Sequence, residues 1–267
     1  LDPLADQEAP SAFMWSDVVS EQASSGPIQI GQGRMAEQMV QVGYNAQHKV
    51  PWHWPVAAYM VTKGISAGLF LLMTLAWALD YQAVQHCSLV ASSVILFFML
   101  VTTVLLVVDL ERPERFLRIL TRPQWKSWLT KGAVVLIAFS GLVTVWLGLE
   151  IALAMAWLPA SKAPPWRGAL LVAGSPLALL TAIYTAFLFA QAKGRDLWGS
   201  RLFGVHLAVQ ALLAGAAGFF FLAFLFPQNQ ETQSGYRFFL QVGTIALVGH
   251  VLIIAYETLS KHESTAV

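Results

Sequence analysis

Six stretches of the chain are each apolar for about 20 residues or more, the length a helix needs to cross the hydrocarbon core of a bilayer. They run approximately Trp54–Leu79, Leu89–Val108, Leu129–Leu158, Gly168–Gln191, Leu202–Phe226 and Tyr236–Leu259. Lipid offers no hydrogen bonds to the backbone, so such segments must satisfy themselves as helices or close into a barrel. Barrel strands would be about ten residues long and alternating, and these stretches are neither. The expectation is an all-α fold, a polytopic transmembrane helix bundle of about six spans. Breakers separate the stretches: Pro113 and Pro123, Pro159 with Pro164-Pro165, Gly194 and Gly199, then Pro227. Tryptophan and tyrosine gather near the ends (Trp52, Trp54, Trp125, Trp128, Trp157, Trp166, Trp198, Tyr236), as aromatic belts do.

Composition closes off the other classes. Of 267 residues 57% are hydrophobic and 12% charged, where an ordinary soluble domain carries about 25% charged residues. Mean hydropathy is +0.60. A net charge of +1 lacks the basic excess of nucleic-acid binders. One cysteine, Cys87, excludes an intrachain disulfide framework, a cysteine-based zinc site and a self-contained iron–sulfur cluster. Residues 1–50 are polar and mixed, interrupted at Pro10 and at Ser24–Pro27. They read as an extramembrane N-terminal arm with a short helix around Gly33–Gln41. Residues 51–260 form the bundle and 261–267 a C-terminal tail. The chain opens on Leu1, so we expect it to follow a processing event or to be part of a longer one.

Sidedness follows from the basic residues. With six spans, the N-terminal side, here X, also holds the loops after the second and fourth spans and the C-terminus. X carries twelve: Arg34, Lys49, Arg112, Arg115, Arg118, Arg122, Lys126, Lys131, Lys193, Arg195, Arg201 and Lys261. The opposite side, Y, carries three: Lys162, Arg167 and Arg237. The positive-inside rule places X in the cytoplasm, although a basic docking face for another subunit would give the same count.

Polar residues inside spans are the informative ones, because each costs a few kcal/mol at mid-membrane unless satisfied or useful. Tyr59 and Lys63 lie one turn apart on the first span, and Asp109 ends the second, just before Arg112. Tyr184 lies on the fourth, His206 and Gln210 on the fifth, His250 and Glu257 on the sixth. All fall within roughly 15 Å of the X boundary, on helices of opposite direction. Glu150 stands apart, toward Y. Singly, each has a bland reading. Lys63 can snorkel to the interface, Asp109 and Arg112 can cap a helix end and pair, and a lone histidine can be a core hydrogen bonder. Together they describe a polar pocket opening from X into an apolar bundle. It suits a ligand with an apolar tail and a redox-active, protonatable head: a quinone, either menaquinone or ubiquinone. Tyr59 and Tyr184 would then donate to the two carbonyls, and His206 would exchange protons. Lys63 or Arg112 would stabilise charge on the head group, with Asp109 orienting Arg112. Gln210, His250 and Glu257 join the charge-stabilising and proton-transfer set, and Glu150 is a candidate proton carrier on the Y side. Two other readings stay open: a haem b-type cytochrome subunit with His206 and His250 as axial ligands, and a proton-translocating transporter using Lys63, Asp109 and Glu150.

The same residues carry a resemblance. The run Trp52-His53-Trp54-Pro55-Val56-Ala57-Ala58-Tyr59, then Lys63-Gly64-Ile65-Ser66-Ala67-Gly68, resembles the opening of the NrfD family of polysulfide-reductase-type membrane subunits. Asp109-Leu110-Glu111-Arg112-Pro113-Glu114-Arg115-Phe116, with Leu120-Thr121-Arg122-Pro123 and Ser127-Trp128, is similar to the segment after that family's second helix. Ser175-Pro176-Leu177 through Tyr184-Thr185, with Trp198 beyond, adds a third match. The resemblance implies a quinone-reactive anchor in the cell inner (plasma) membrane, without haem or iron–sulfur cluster of its own. Its implied partners are an iron–sulfur ferredoxin-like subunit and a molybdopterin-type catalytic subunit or a hydrogenase. Two positions depart from the polysulfide-reductase pattern: Tyr59 stands where that type has histidine, and Val56 where it has asparagine. The family also commonly has eight or more spans.

Overall fold

The computed structural model of the chain describes residues 54–79, 87–109, 121–159, 161, 163–190, 202–223 and 230–259. Among them lie six helices and no strand: α1 (Trp54–Ala78), α2 (Ser88–Val108), α3 (Trp128–Ala154), α4 (Ala163–Phe189), α5 (Phe203–Ala223) and α6 (Gln230–Leu259). All six are long and apolar enough to cross a membrane. The expected N-terminal arm, Arg112 and the C-terminal tail lie outside the described residues.

Helix limits differ from expectation where local chemistry was misread. Pro164 and Pro165 look like breakers, yet α4 begins at Ala163 and contains both. The first turn of a helix has no use for its N–H groups, so proline sits there without loss. α3 ends at Ala154, short of the expected Leu158. Its chain reverses through Ala156, whose φ of 57° is left-handed. Ala156 N–H bonds to the Leu153 carbonyl at 3.1 Å and Trp157 N–H to the Ala152 carbonyl at 2.9 Å. That pair of bonds is a Schellman ending, and it satisfies two carbonyls the helix would otherwise leave open.

α1 is the hub. It packs against α2, α4 and α5, while α3 bridges α2 and α4, and α6 rests on α5. Its fully buried Leu69, Phe70, Leu72 and Met73 meet Ile95 and Met99 of α2, Phe139, Val143 and Trp146 of α3, and Leu171 of α4. Phe70 sets its edge against Phe139 and Trp146, with ring centroids 5.2 and 5.5 Å apart. The outward faces are apolar as well: Phe97, Leu100 and Val104 on α2, Ile245, Val248 and Leu252 on α6 are all exposed. Such faces suit acyl chains.

Lipid is as apolar as leucine, so contact between spans depends on close approach and on hydrogen bonds. α1 uses both. A Cβ at Gly68 would collide with the Ala211 carbonyl of α5, and one at Gly215 with the backbone of Gly68. Toward α2, Ser66 Oγ donates to the Ile95 carbonyl at 3.2 Å, and the Thr62 and Thr102 hydroxyls are 2.8 Å apart. Toward α4, Ser175 Oγ donates to Thr74 Oγ1 at 3.2 Å. The hub is thereby fixed in rotation on three sides.

Candidate functional site

α1 enters the bundle with Tyr59 five residues from its start, and Lys63 follows one turn deeper. Both are buried, Lys63 to 2% exposure. Its side chain turns inward rather than snorkelling to the boundary. Nζ donates to Thr185 Oγ1 at 2.6 Å and to the Ala182 carbonyl at 3.2 Å, both on α4. It also stands 4.7 Å from the centre of the Tyr184 ring, close enough for a cation–π contact. Each of these partners is neutral. A buried cation without a counter-charge is costly, so this arrangement favours an electron-rich group brought beside it.

The two phenols complete the cluster. Tyr59 and Tyr184 are both buried, and half-buried Asp109 ends α2. The Tyr184 ring lies across Gly132 of α3, where any Cβ would overlap it. Beside Lys63 is a cavity of about 50 Å³ lined by Met60, Val61, Gly64, Ala182, Leu207, Gln210, Ala211 and Ala214. That volume suits water; a quinone ring would need the walls to move. Met60, unbranched and with several rotatable bonds, is the wall best able to do so.

His206 faces elsewhere. Its Nδ1 is hydrogen-bonded to Glu257 Oε2 at 2.9 Å, and its ring meets that of His250 at 4.8 Å between centroids, in edge-to-face contact. His250 Nδ1 is buried without a hydrogen-bond partner among the described residues. The histidines touch directly, leaving no gap for a macrocycle between them, so the pair does not fit axial haem ligation. Among the described residues no group of three or more His, Cys, Asp or Glu side chains could hold a metal ion.

Glu150 is near the other end of the bundle. Arg167 grips it with two bonds, Nε to Oε1 at 2.6 Å and Nη2 to Oε2 at 2.7 Å. Trp146 Nε1 donates to Oε1 at 3.0 Å. The expected residues therefore form three groups: Tyr59, Lys63, Tyr184 and Asp109, with Gln210 across the cavity; His206 with His250 and Glu257; and Glu150 with Arg167. Sequence reasoning missed Thr185, Gly132 and Arg167. Thr185 and Gly132 leave no signal without knowing how the helices are rotated. The Arg167–Glu150 pair does leave one, since opposite charges fall at the same depth on consecutive spans.

Six spanning helices among the described residues, with α1 as their hub, bury a lysine and two tyrosines near one membrane face and define a multi-pass integral membrane protein with an intramembrane polar site. The model of one family, described as polysulphide reductase, NrfD, matches residues 43–266, and the chain belongs to that family. Among curated proteins it is similar to Protein NrfD of Escherichia coli strain K12, with 25% identity over 186 residues. That match covers 62% of this chain and 57% of the relative. It is also similar to the C component of the polysulfide reductase of Wolinella succinogenes, 27% identical over 101 residues, or 37% of this chain and 32% of that one. The chain thus spans about half of one relative and a third of the other.

Proposed function

We propose that this chain is the quinone- or quinol-reactive membrane anchor of a multisubunit respiratory oxidoreductase. The observation that carries this reading is the gathering of three buried donors, Tyr59, Lys63 and Tyr184, within about one helical turn of depth, with only neutral groups holding the lysine. Such a set can hydrogen-bond a carbonyl-bearing head and favours charge on its oxygens. The apolar exterior leaves the tail in lipid. The substrate supplies two-electron, two-proton chemistry; the protein's residues bind, orient and exchange protons. Tyr59 and Tyr184 orient the ring, Lys63 stabilises negative charge at an oxygen, and Asp109 and Arg112 tune the field around Tyr59. His206, with Glu257 and His250 beside it, is the proton-exchanging group, because an imidazole can both donate and accept a proton. Gln210 lines the Lys63 cavity, one turn along α5 from His206.

Membership in the family and a relative named as one component of a polysulfide reductase support a place within a complex. In this reading an iron–sulfur ferredoxin-like subunit docks on side X and connects the site to a molybdopterin-type catalytic subunit. The complex lies in the cell inner membrane with side X cytoplasmic. Tyr59 and Tyr184 are roughly 8–10 Å below that face, so electrons would need no carrier within this chain. The test is quinone turnover by the purified complex. Tyr59→Phe and Tyr184→Phe each preserve assembly and lower turnover about tenfold or more, each removing a buried donor worth about 1–3 kcal/mol. Wild-type kinetics in both variants would move the ring away from these tyrosines, toward the His250–Glu257 end.

A further inference from the structure

The α1–α5 contact changes character over a single turn. At Gly68 the helices touch backbone to backbone, since a Cβ there would strike the Ala211 carbonyl. One turn nearer X, a Cβ at Gly64 would meet only Ala214 Cβ at 3.6 Å and Ala211 Cα at 3.8 Å, ordinary contact distances. The seam is closed at Gly68; at Gly64 it leaves room for about one methyl group, and there the cavity beside Lys63 begins. The outer wall includes Val61, which is 53% exposed. Val61 lies seven residues into α1, about 10 Å below the X end, so its exposure is to acyl chains rather than to water. α6 rests on α5 and touches α1 only marginally, leaving this side of the seam uncovered among the described residues. Apart from Lys63 the lining carries no charge, and its one other polar side chain is Gln210.

We propose that this opening between α1 and α5 is a lateral portal, through which an amphipathic substrate with an isoprenoid-type tail reaches Lys63 from within the bilayer. The proposal rests on the quinone reading above and adds the route and the residues that set its width. The head passes Met60 and Leu207 and meets Gln210 before Lys63. The tail stays in the seam beside Val61 and Ala214. The small side chain of Ala214 leaves that room; a larger residue at 214 fills it. A head arriving from water would instead cross the X face past Tyr59 and leave the seam empty.

The test is photolabelling of the intact complex in liposomes with a quinone bearing an azide on the first unit of its tail, followed by peptide mapping. Labelling is expected within Met60–Gly64 and Leu207–Ala214, displaced by excess unlabelled quinone. Ala214→Leu should reduce it about tenfold, because the larger side chain occupies the room the tail would take. Val61→Trp, at an exposed position that packing does not constrain, should do the same if the first variant fails to assemble. Displaceable labelling confined to α2 and α3, or full labelling in both variants, overturns the portal and leaves the quinone reading standing. No displaceable labelling anywhere on the protein removes the quinone reading, and the portal with it.

Discussion

Two buried cations stand near opposite faces of this bundle, and they are held in opposite ways. Arg167, toward Y, meets a carboxylate with two bonds, and that carboxylate takes a third from Trp146. Lys63, toward X, is held by a carbonyl, a hydroxyl and an aromatic face. The Y cluster pairs its two charges with each other. The X cluster gives its lysine no carboxylate partner among the described residues and has a cavity beside it. Between the two lie Phe70, Phe139, Val143 and Trp146, all fully buried and tightly packed. The contrast sets a self-paired ion pair at one end against a lysine held only by neutral groups, with space beside it, at the other.

The largest effect should come from breaking the Y cluster. Arg167→Met leaves the Glu150 carboxylate buried with only the indole N–H as a partner. Stranding one member of a buried ion pair costs about 3–5 kcal/mol, a large part of the stability of most domains. The variant should fail to accumulate or unfold at markedly lower temperature in detergent. Replacing both residues together, as Glu150→Leu with Arg167→Met, should recover most of the loss. Normal expression and melting of Arg167→Met would mean that the pair is not structural, and Glu150 would return as a carrier of protons.

Lys63→Met is the matching change at X, and it should invert the pattern. Methionine nearly fills the lysine volume, and the partners it abandons are neutral, one of them a helix carbonyl. The lost bonds are worth about 1 kcal/mol each, offset by no longer burying a charge. Melting should therefore stay close to wild type, while quinone turnover by the complex falls about tenfold or more, equivalent to about 1.4 kcal/mol at the barrier. A destabilised Lys63→Met that retained its turnover would erase the distinction between the two ends.

What the sequence disclosed divides along a physical line. Axial position was legible: bilayer thickness fixes span length, and rise per residue puts Tyr59, Lys63 and Tyr184 near one depth. Rotation about the helix axis was not. His206 and Gln210 are four residues apart, and four steps overshoot a full turn by about 40°. That is enough to turn Gln210 toward α1 and His206 toward α6, into separate groups. Likewise nothing in the sequence pairs Lys63 with Thr185 rather than with the X boundary, because the choice depends on which face of α4 meets α1. Gly132 could have been any tolerated glycine until the Tyr184 ring was seen against it.

The smallest effect tests whether the Y end can be altered without cost to function. Ala156 is exposed just after α3, with a φ of 57°. In that conformation the Cβ of an L-residue crowds the following carbonyl, at a cost of roughly 1–2 kcal/mol. Glycine avoids the crowding and is the residue most often found at this position of a Schellman ending. It gives back part of the gain, because a glycine chain has more unfolded conformations to lose. Ala156→Gly should therefore stabilise by about 0.5–1 kcal/mol, read as a modest rise in the melting temperature of the purified complex. Turnover and quinone affinity should not change, since Ala156 lies across the bundle from Lys63. A gain in stability accompanied by altered quinone kinetics would show that the two ends are coupled through the Phe70–Trp146 core.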